Sequence, residues 1–101
     1  MRIISRARLN EACTNQPTIN ASLTHWYNIA KRACWKNLAQ TRSCFPHADQ
    51  VRADRNKVAT VFNLSNGFRL ITAIHYDKQR IYIRHILSHT EYDRGKWKEM
   101  L

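Results

Sequence analysis

The sequence predicts a single α+β domain: an antiparallel-dominated sheet with helices on one face and a basic, open face opposite. Three observations carry this. Strand patterns at Val58–Leu64, Phe68–Asp77 and Arg80–Ser88 follow one another through connections that allow only antiparallel neighbours. An apolar stripe of helical period precedes them. The 101 residues are 44% hydrophobic with two glycines and two prolines, which fits one globular core without low-complexity segments or internal repeats. A chain of this length buries about two thirds of its unfolded surface, so 1–101 is read as one domain.

Arg2–Ser5 reads as a short strand, and Ser5 can cap a first helix over Arg6–Cys13. Asn15, Gln16 and Pro17 break that helix. Thr18 can cap a second one, in which Ile19, Leu23, Trp26, Ala30 and Ala33 recur at three and four residues. Tyr27 and Cys34 widen the stripe, while Asn20, Asn28, Lys31 and Arg32 take the opposite side. Asn37 can cap a short helix that stops before Pro46. His47–Lys57 is polar and basic, through Arg52, Arg55 and Lys57, and reads as a loop with room for a short edge strand.

Ser65-Asn66-Gly67 joins the first two strands. A three-residue loop with Gly67 left-handed pairs Leu64 with Phe68, Phe62 with Leu70 and Asn63 with Arg69. It places Val58, Phe62, Leu64, Phe68, Leu70 and Ile74 on one core face, whereas a one-residue slip reverses the burial. The next turn, Asp77–Arg80, pairs Tyr76 with Ile81 and brings Ile81, Ile83, His85 and Leu87 to the same face. Asn63, Arg69, Ile71, His75, Tyr82, Arg84 and Ser88 collect on the other. The last strand is apolar on both sides, as interior strands are. It runs out into His89, Thr90, Glu91, Tyr92 and Asp93, read either as a site or as a polar turn leaving the core.

Seventeen Lys and Arg against seven Asp and Glu give a net charge of +10, which favours a polyanionic partner. The cations are spread along the chain, so a folded basic surface is expected rather than a disordered arm. No apolar run approaches the ~18 residues of a membrane span, and Met1–Ile4 is too short for a signal h-region. Cys13, Cys34 and Cys44 fit neither a disulfide framework nor a C-x-x-C metal site, and read as reduced cysteines of a cytoplasmic protein.

Arg69 and Arg84 point to phosphate binding or to structural ion pairs. His85 and His89 lie roughly 13 Å apart along a strand, too far to share a metal, and His85 falls on the core face. His89 and Asp93 face each other only if the chain turns helical after Ser88. No cluster has metal-ligand spacing, so neither metal nor cofactor is expected. His89 and Tyr92 are the sharper pair. RNA is cut without metal when its own 2′-hydroxyl attacks the adjacent phosphate, which needs proton removal, proton delivery and cations. His89, Tyr92, Arg69 and Arg84 include each type. Arg55, Lys57, Asn63, Arg80, Lys96 and Lys98 are candidate RNA contacts. Trp26, Trp35 and Trp97 are scattered, and core or partner contact explains them at least as well as base stacking.

The series V-F-N-L-S-N-G-F-R-L (Val61–Leu70), I-H-Y (Ile74–Tyr76) and Y-I-R-H-I-L-S-H-T-E-Y-D (Tyr82–Asp93) resembles the HigB-type toxins of the RelE-like superfamily. The opening M-R-I-I-S and F-P-H-A-D (Phe45–Asp49) are similar too. The resemblance implies metal-independent cleavage of messenger RNA, usually on the translating ribosome. It also implies neutralisation by a HigA-type helix-turn-helix antitoxin, through which alone DNA would be reached. It matches Arg69 to a phosphate-binding arginine, Tyr92 to a C-terminal tyrosine, and His89 to a basic site residue, leaving the base unassigned. The alternative from another class is a non-catalytic RNA- or ribosome-binding module.

Overall fold

Five strands form one sheet: β1 (Arg2–Ile4), β2 (Asp49–Arg52), β3 (Val58–Asn63), β4 (Arg69–His75) and β5 (Arg80–Leu87), in the order β1-β5-β4-β3-β2. The computed structural model describes residues 1–4, 17–52 and 57–100. The helix read over Arg6–Cys13, Cys13 itself and Arg55 lie outside the described residues. β1 runs parallel to β5, and every other pairing is antiparallel. β5 therefore has a neighbour on each side, as its two-faced apolar pattern requires. β2 is the edge strand for which the basic loop left room.

The first hairpin has the expected register. Phe62 pairs with Leu70 and Asn63 with Arg69, and the Leu64 N–H donates to the Phe68 carbonyl at 2.9 Å. Asn66 (φ 57°) and Gly67 (φ 76°) are both left-handed. The second turn differs from expectation: Ile81 pairs with Ile74, not Tyr76. The Gln79 amide closes the longer loop, donating to the carbonyls of Tyr76 (2.9 Å) and Trp35 (2.7 Å). The two-residue difference keeps Ile81 facing the core, because strand parity has a period of two.

A β-bulge changes more. Ile71 pairs with His85 and Thr72 with Ile83, so Arg84 is the extra residue. Side-chain alternation reverses there. Ile81, Ile83 and Ile86 face the helices, while Leu87 packs on the opposite side with Val61 and Ile71. The expected core-face placement of His85 and Leu87 is corrected accordingly.

Helix α1 (Asn20–Arg32) lays Leu23, Trp26 and Ala30, with Ile19 ahead of them, on Phe62, Leu70, Ile81 and Ile83. Trp26, Phe45 and Trp35 surround Phe62 at centroid distances of 5.4, 5.3 and 6.3 Å. Thr18 does not cap α1, which is entered from a 3-10 turn at Pro17–Ile19. Asn37 does cap α2 (Leu38–Cys44), its Oδ1 accepting the Gln40 N–H at 2.9 Å. Val58, expected in the core, is 42% exposed at the start of β3. Among the described residues no helix is long and apolar enough to cross a membrane.

The second face is not fully open. Helix α3 (His89–Arg94) and a 3-10 turn (Lys96–Met100) return over it, and Trp97, 3% exposed, covers Ala59, Val61 and Ile71. Gly67 and Gly95 are both left-handed, but they differ in surroundings. A Cβ on Gly67 would stand 3.3 Å from the Cβ of His89, whereas one on Gly95 meets nothing within 4 Å. Gly95→Ala should cost about 1–2 kcal/mol for its backbone conformation alone, and Gly67→Ala more. Chemical denaturation of the two variants checks the order.

Candidate functional site

The S-H-T-E run turns the end of β5 into a helix. Ser88 Oγ accepts the Glu91 N–H at 3.3 Å, and Glu91 Oε1 accepts the Ser88 N–H at 3.1 Å, a reciprocal capping box. Gly95, left-handed, ends the helix. The chain can then double back so that the Trp97 ring stacks on Tyr92, at 5.4 Å and 14°. Trp97 Nε1 donates to the Tyr92 carbonyl at 3.1 Å.

Arg69 meets the tyrosine from β4. Its guanidinium carbon lies 5.7 Å from the Tyr92 ring centre, and its Nη1 donates to the carbonyls of Gly67 (3.0 Å) and Phe68 (3.3 Å). The arginine is thus held between the hairpin turn and an aromatic face. Arg69 and Tyr92 line a cleft of about 500 Å³ with Asn63 and Val61. Its other wall is Arg42, Pro46, His47, Ala48 and Asp49, from the end of α2 to the start of β2.

Burial raises the Tyr92 pKa above the ordinary tyrosine value, Asp49 and Asp93 raise it further, and Arg69 opposes them. The phenol therefore keeps its proton through neutral pH and can give it to a developing oxyanion. Among the described residues no group of three or more His, Cys, Asp and Glu side chains is arranged to hold a metal.

The other candidates scatter. Chain helicity after Ser88 brings His89 Nε2 to 3.1 Å from Asp93 Oδ2, on the exposed side of α3 and outside the cleft lining. Arg84 sits at the bulge, also outside it. Asn63 pairs with Arg69 and shares the cleft. Arg80 lies at the other end of β5, paired with Arg2, and Lys57 precedes the far end of β3. Lys96 lines a separate cavity with His85, Leu87 and Trp97, and Lys98 Nζ lies 5.8 Å from the Trp97 ring centre. Arg42, His47 and Asp49, which also line the cleft, were not among the residues singled out from the sequence. The signal was the proline beside a histidine in F-P-H-A-D, which marks a turn presenting an imidazole.

The family model described as HigB_toxin, RelE-like toxic component of a toxin-antitoxin system, matches residues 19–95, both walls of the cleft included. The chain belongs to the HigB toxin family. Its similarity extends to the mRNA interferase HigB of Escherichia coli O6:H1, 30% identical over 94 residues, covering 93% of this chain and 90% of that protein. The mRNA interferase toxin HigB of Escherichia coli K12 is 26% identical over 95 residues, covering 92% and 88% respectively. The mRNA interferase HigB of Shigella flexneri stands at the same 26%, with the same coverage. As a HigB-family member the chain is the toxin half of a toxin–antitoxin system, which implies an antitoxin partner.

The Tyr92 shift has a consequence for stability. Folded HigB-family protein holds this proton more tightly than the unfolded chain does. The resulting stability is complete below the unfolded pKa and is lost as pH rises through the folded one. Thermal unfolding across alkaline pH should show stability falling above about pH 10, and Tyr92→Phe should flatten that decline.

Proposed function

We propose that this chain is an endoribonuclease that cuts messenger RNA by attack of the RNA's own 2′-hydroxyl, without a metal, on the translating ribosome. The observation that carries the reading is the meeting of Arg69 and a proton-holding Tyr92 on one cleft. The similar proteins named mRNA interferases support it. Arg69 binds the scissile phosphate and stabilises the charge that develops on it. Tyr92 delivers a proton to the leaving oxygen. Asn63 places a neutral donor beside the same phosphate. Arg84 and His89 lie outside the lining and are assigned no step. A net charge of +10 suits work on an RNA-rich particle in the cytoplasm. A HigA-type helix-turn-helix antitoxin, acidic in net charge, silences the enzyme, and contact with DNA runs only through it.

Expression without the antitoxin should arrest growth. Arg69→Ala should lower the cleavage rate by about 10²–10³-fold and Tyr92→Phe by about 10²–10⁴-fold, with Arg84→Ala milder than either. Mapping RNA ends in induced cells checks the order. Full toxicity in an Arg69→Ala/Tyr92→Phe double mutant would remove this site. Cleavage on the ribosome should survive a chelator when the ribosomes are kept intact by polyamines, and dependence on an added divalent ion would count against the mechanism. Association with the antitoxin should slow as salt is added, because opposite charges steer the encounter.

A further inference from the structure

The reaction proposed above asks for a group that takes a proton as well as one that gives it. Tyr92 fills only the second role. The wall facing it is the connection between α2 and β2, and that connection is braced. Phe45, Pro46, His47 and Ala48 form a tight turn in which the Ala48 N–H donates to the Phe45 carbonyl at 2.9 Å. Pro46 stands second, where its fixed φ suits the turn, and His47 third. Arg42 clamps the exit: its Nε donates to the Ala48 carbonyl at 2.8 Å and its Nη2 lies 3.7 Å from Asp49 Oδ1.

His47 is exposed on this turn and lines the same cleft as Arg69 and Tyr92. The charged and titratable groups around it are Arg42, Asp49, Arg69 and Tyr92 in the cleft, with Cys44 in the cavity behind the turn. Among the lining residues it is the one imidazole, the side-chain type that exchanges protons near neutrality. The Asp49 carboxylate is engaged by Arg42, and His89 by Asp93.

We propose that His47 is the general base of this cleft, taking the 2′-hydroxyl proton of an RNA whose phosphate is held at Arg69. The inference rests on the endoribonuclease reading. The 2′ oxygen bonds to phosphorus as the bond from phosphorus to the 5′ oxygen breaks. The 2′ proton passes to His47, and the leaving 5′ oxygen takes the Tyr92 proton. The products are a 2′,3′-cyclic phosphate and a 5′-hydroxyl. The proton on His47 returns to Tyr92 through water, so no co-reactant is needed.

The test is single-turnover cleavage of ribosome-bound messenger RNA across the range in which imidazole titrates. It compares wild type with His47→Ala, His47→Gln, His89→Ala and Tyr92→Phe. The wild-type rate should climb with pH along an acid-side limb. Both His47 variants should lose that limb and about 10²–10⁴-fold in rate, and added imidazole should restore part of the His47→Ala activity. The limb should survive in His89→Ala. A message with sulfur in place of the scissile 5′ oxygen needs no proton on the leaving atom, so it should rescue Tyr92→Phe and neither His47 variant. Wild-type rates in either His47 variant, or loss of the limb with His89 instead, would overturn the assignment while cyclic-phosphate ends uphold the endoribonuclease reading. A 5′-phosphate on the wild-type product would overturn that reading and this inference with it.

Discussion

The bulge at Arg84 is the constraint from which the site follows. A strand without it would keep Ile83, His85 and Leu87 on the helix side. One extra residue reverses the alternation, and Leu87 joins Val61 and Ile71 on the second face. That face then offers an apolar bed at the end of the sheet where Arg69 stands. Trp97 fills it, 3% exposed. Burying a tryptophan there outweighs the pull of solvent on a charged tail, since burial of a large aromatic contributes on the order of 2–3 kcal/mol or more. Tyr92 is carried in beneath the tryptophan and stops against Arg69.

Electrostatics divide between the whole molecule and the cleft. A net charge of +10 would attract a polyanion over a distance set by salt. Within the cleft an acidic group, Asp49, stands among the cations. Its pair with Arg42 is exposed and at 3.7 Å, a geometry that contributes about 0–1 kcal/mol. The charge-assisted bond from Arg42 to the Ala48 carbonyl, at 2.8 Å, is the stronger tie and fixes the turn. Asp49 matters more through its field, which helps hold the Tyr92 proton.

Much of the fold was legible because burial leaves few choices. The Ser65–Gly67 register followed from which face it made apolar, and the α1 stripe from its spacing. The error at Tyr76 was harmless because a shift of two residues preserves parity. The bulge was not legible: a strand apolar on both faces shows no break in pattern when its alternation reverses. For the site, Arg69, Asn63 and Tyr92 were readable from the hairpin register and the chain end. His89 was singled out as a second proton-moving group at the end of β5, and the helix that Ser88 caps brings Asp93 to it, the pairing expected if the chain turned helical there. The second wall lies more than 40 residues before Tyr92 along the chain, and the β2–β3 pairing, Asp49 opposite Val61, brings it across.

The way Tyr92 is held separates support from chemistry. Its contacts with Trp97 and Arg69 are made through the ring, and a further one through its backbone carbonyl. None of these engages the hydroxyl, so the ring can be fixed while the oxygen stays open to the role proposed for it. Arg69 is arranged in the same way. One nitrogen, Nη1, is tied to the turn carbonyls, and in the proposed reaction the rest of the guanidinium fork would meet the phosphate. Both groups are preorganised by contacts that a reaction does not have to break, which is the condition for stabilising a transition state without reorganisation.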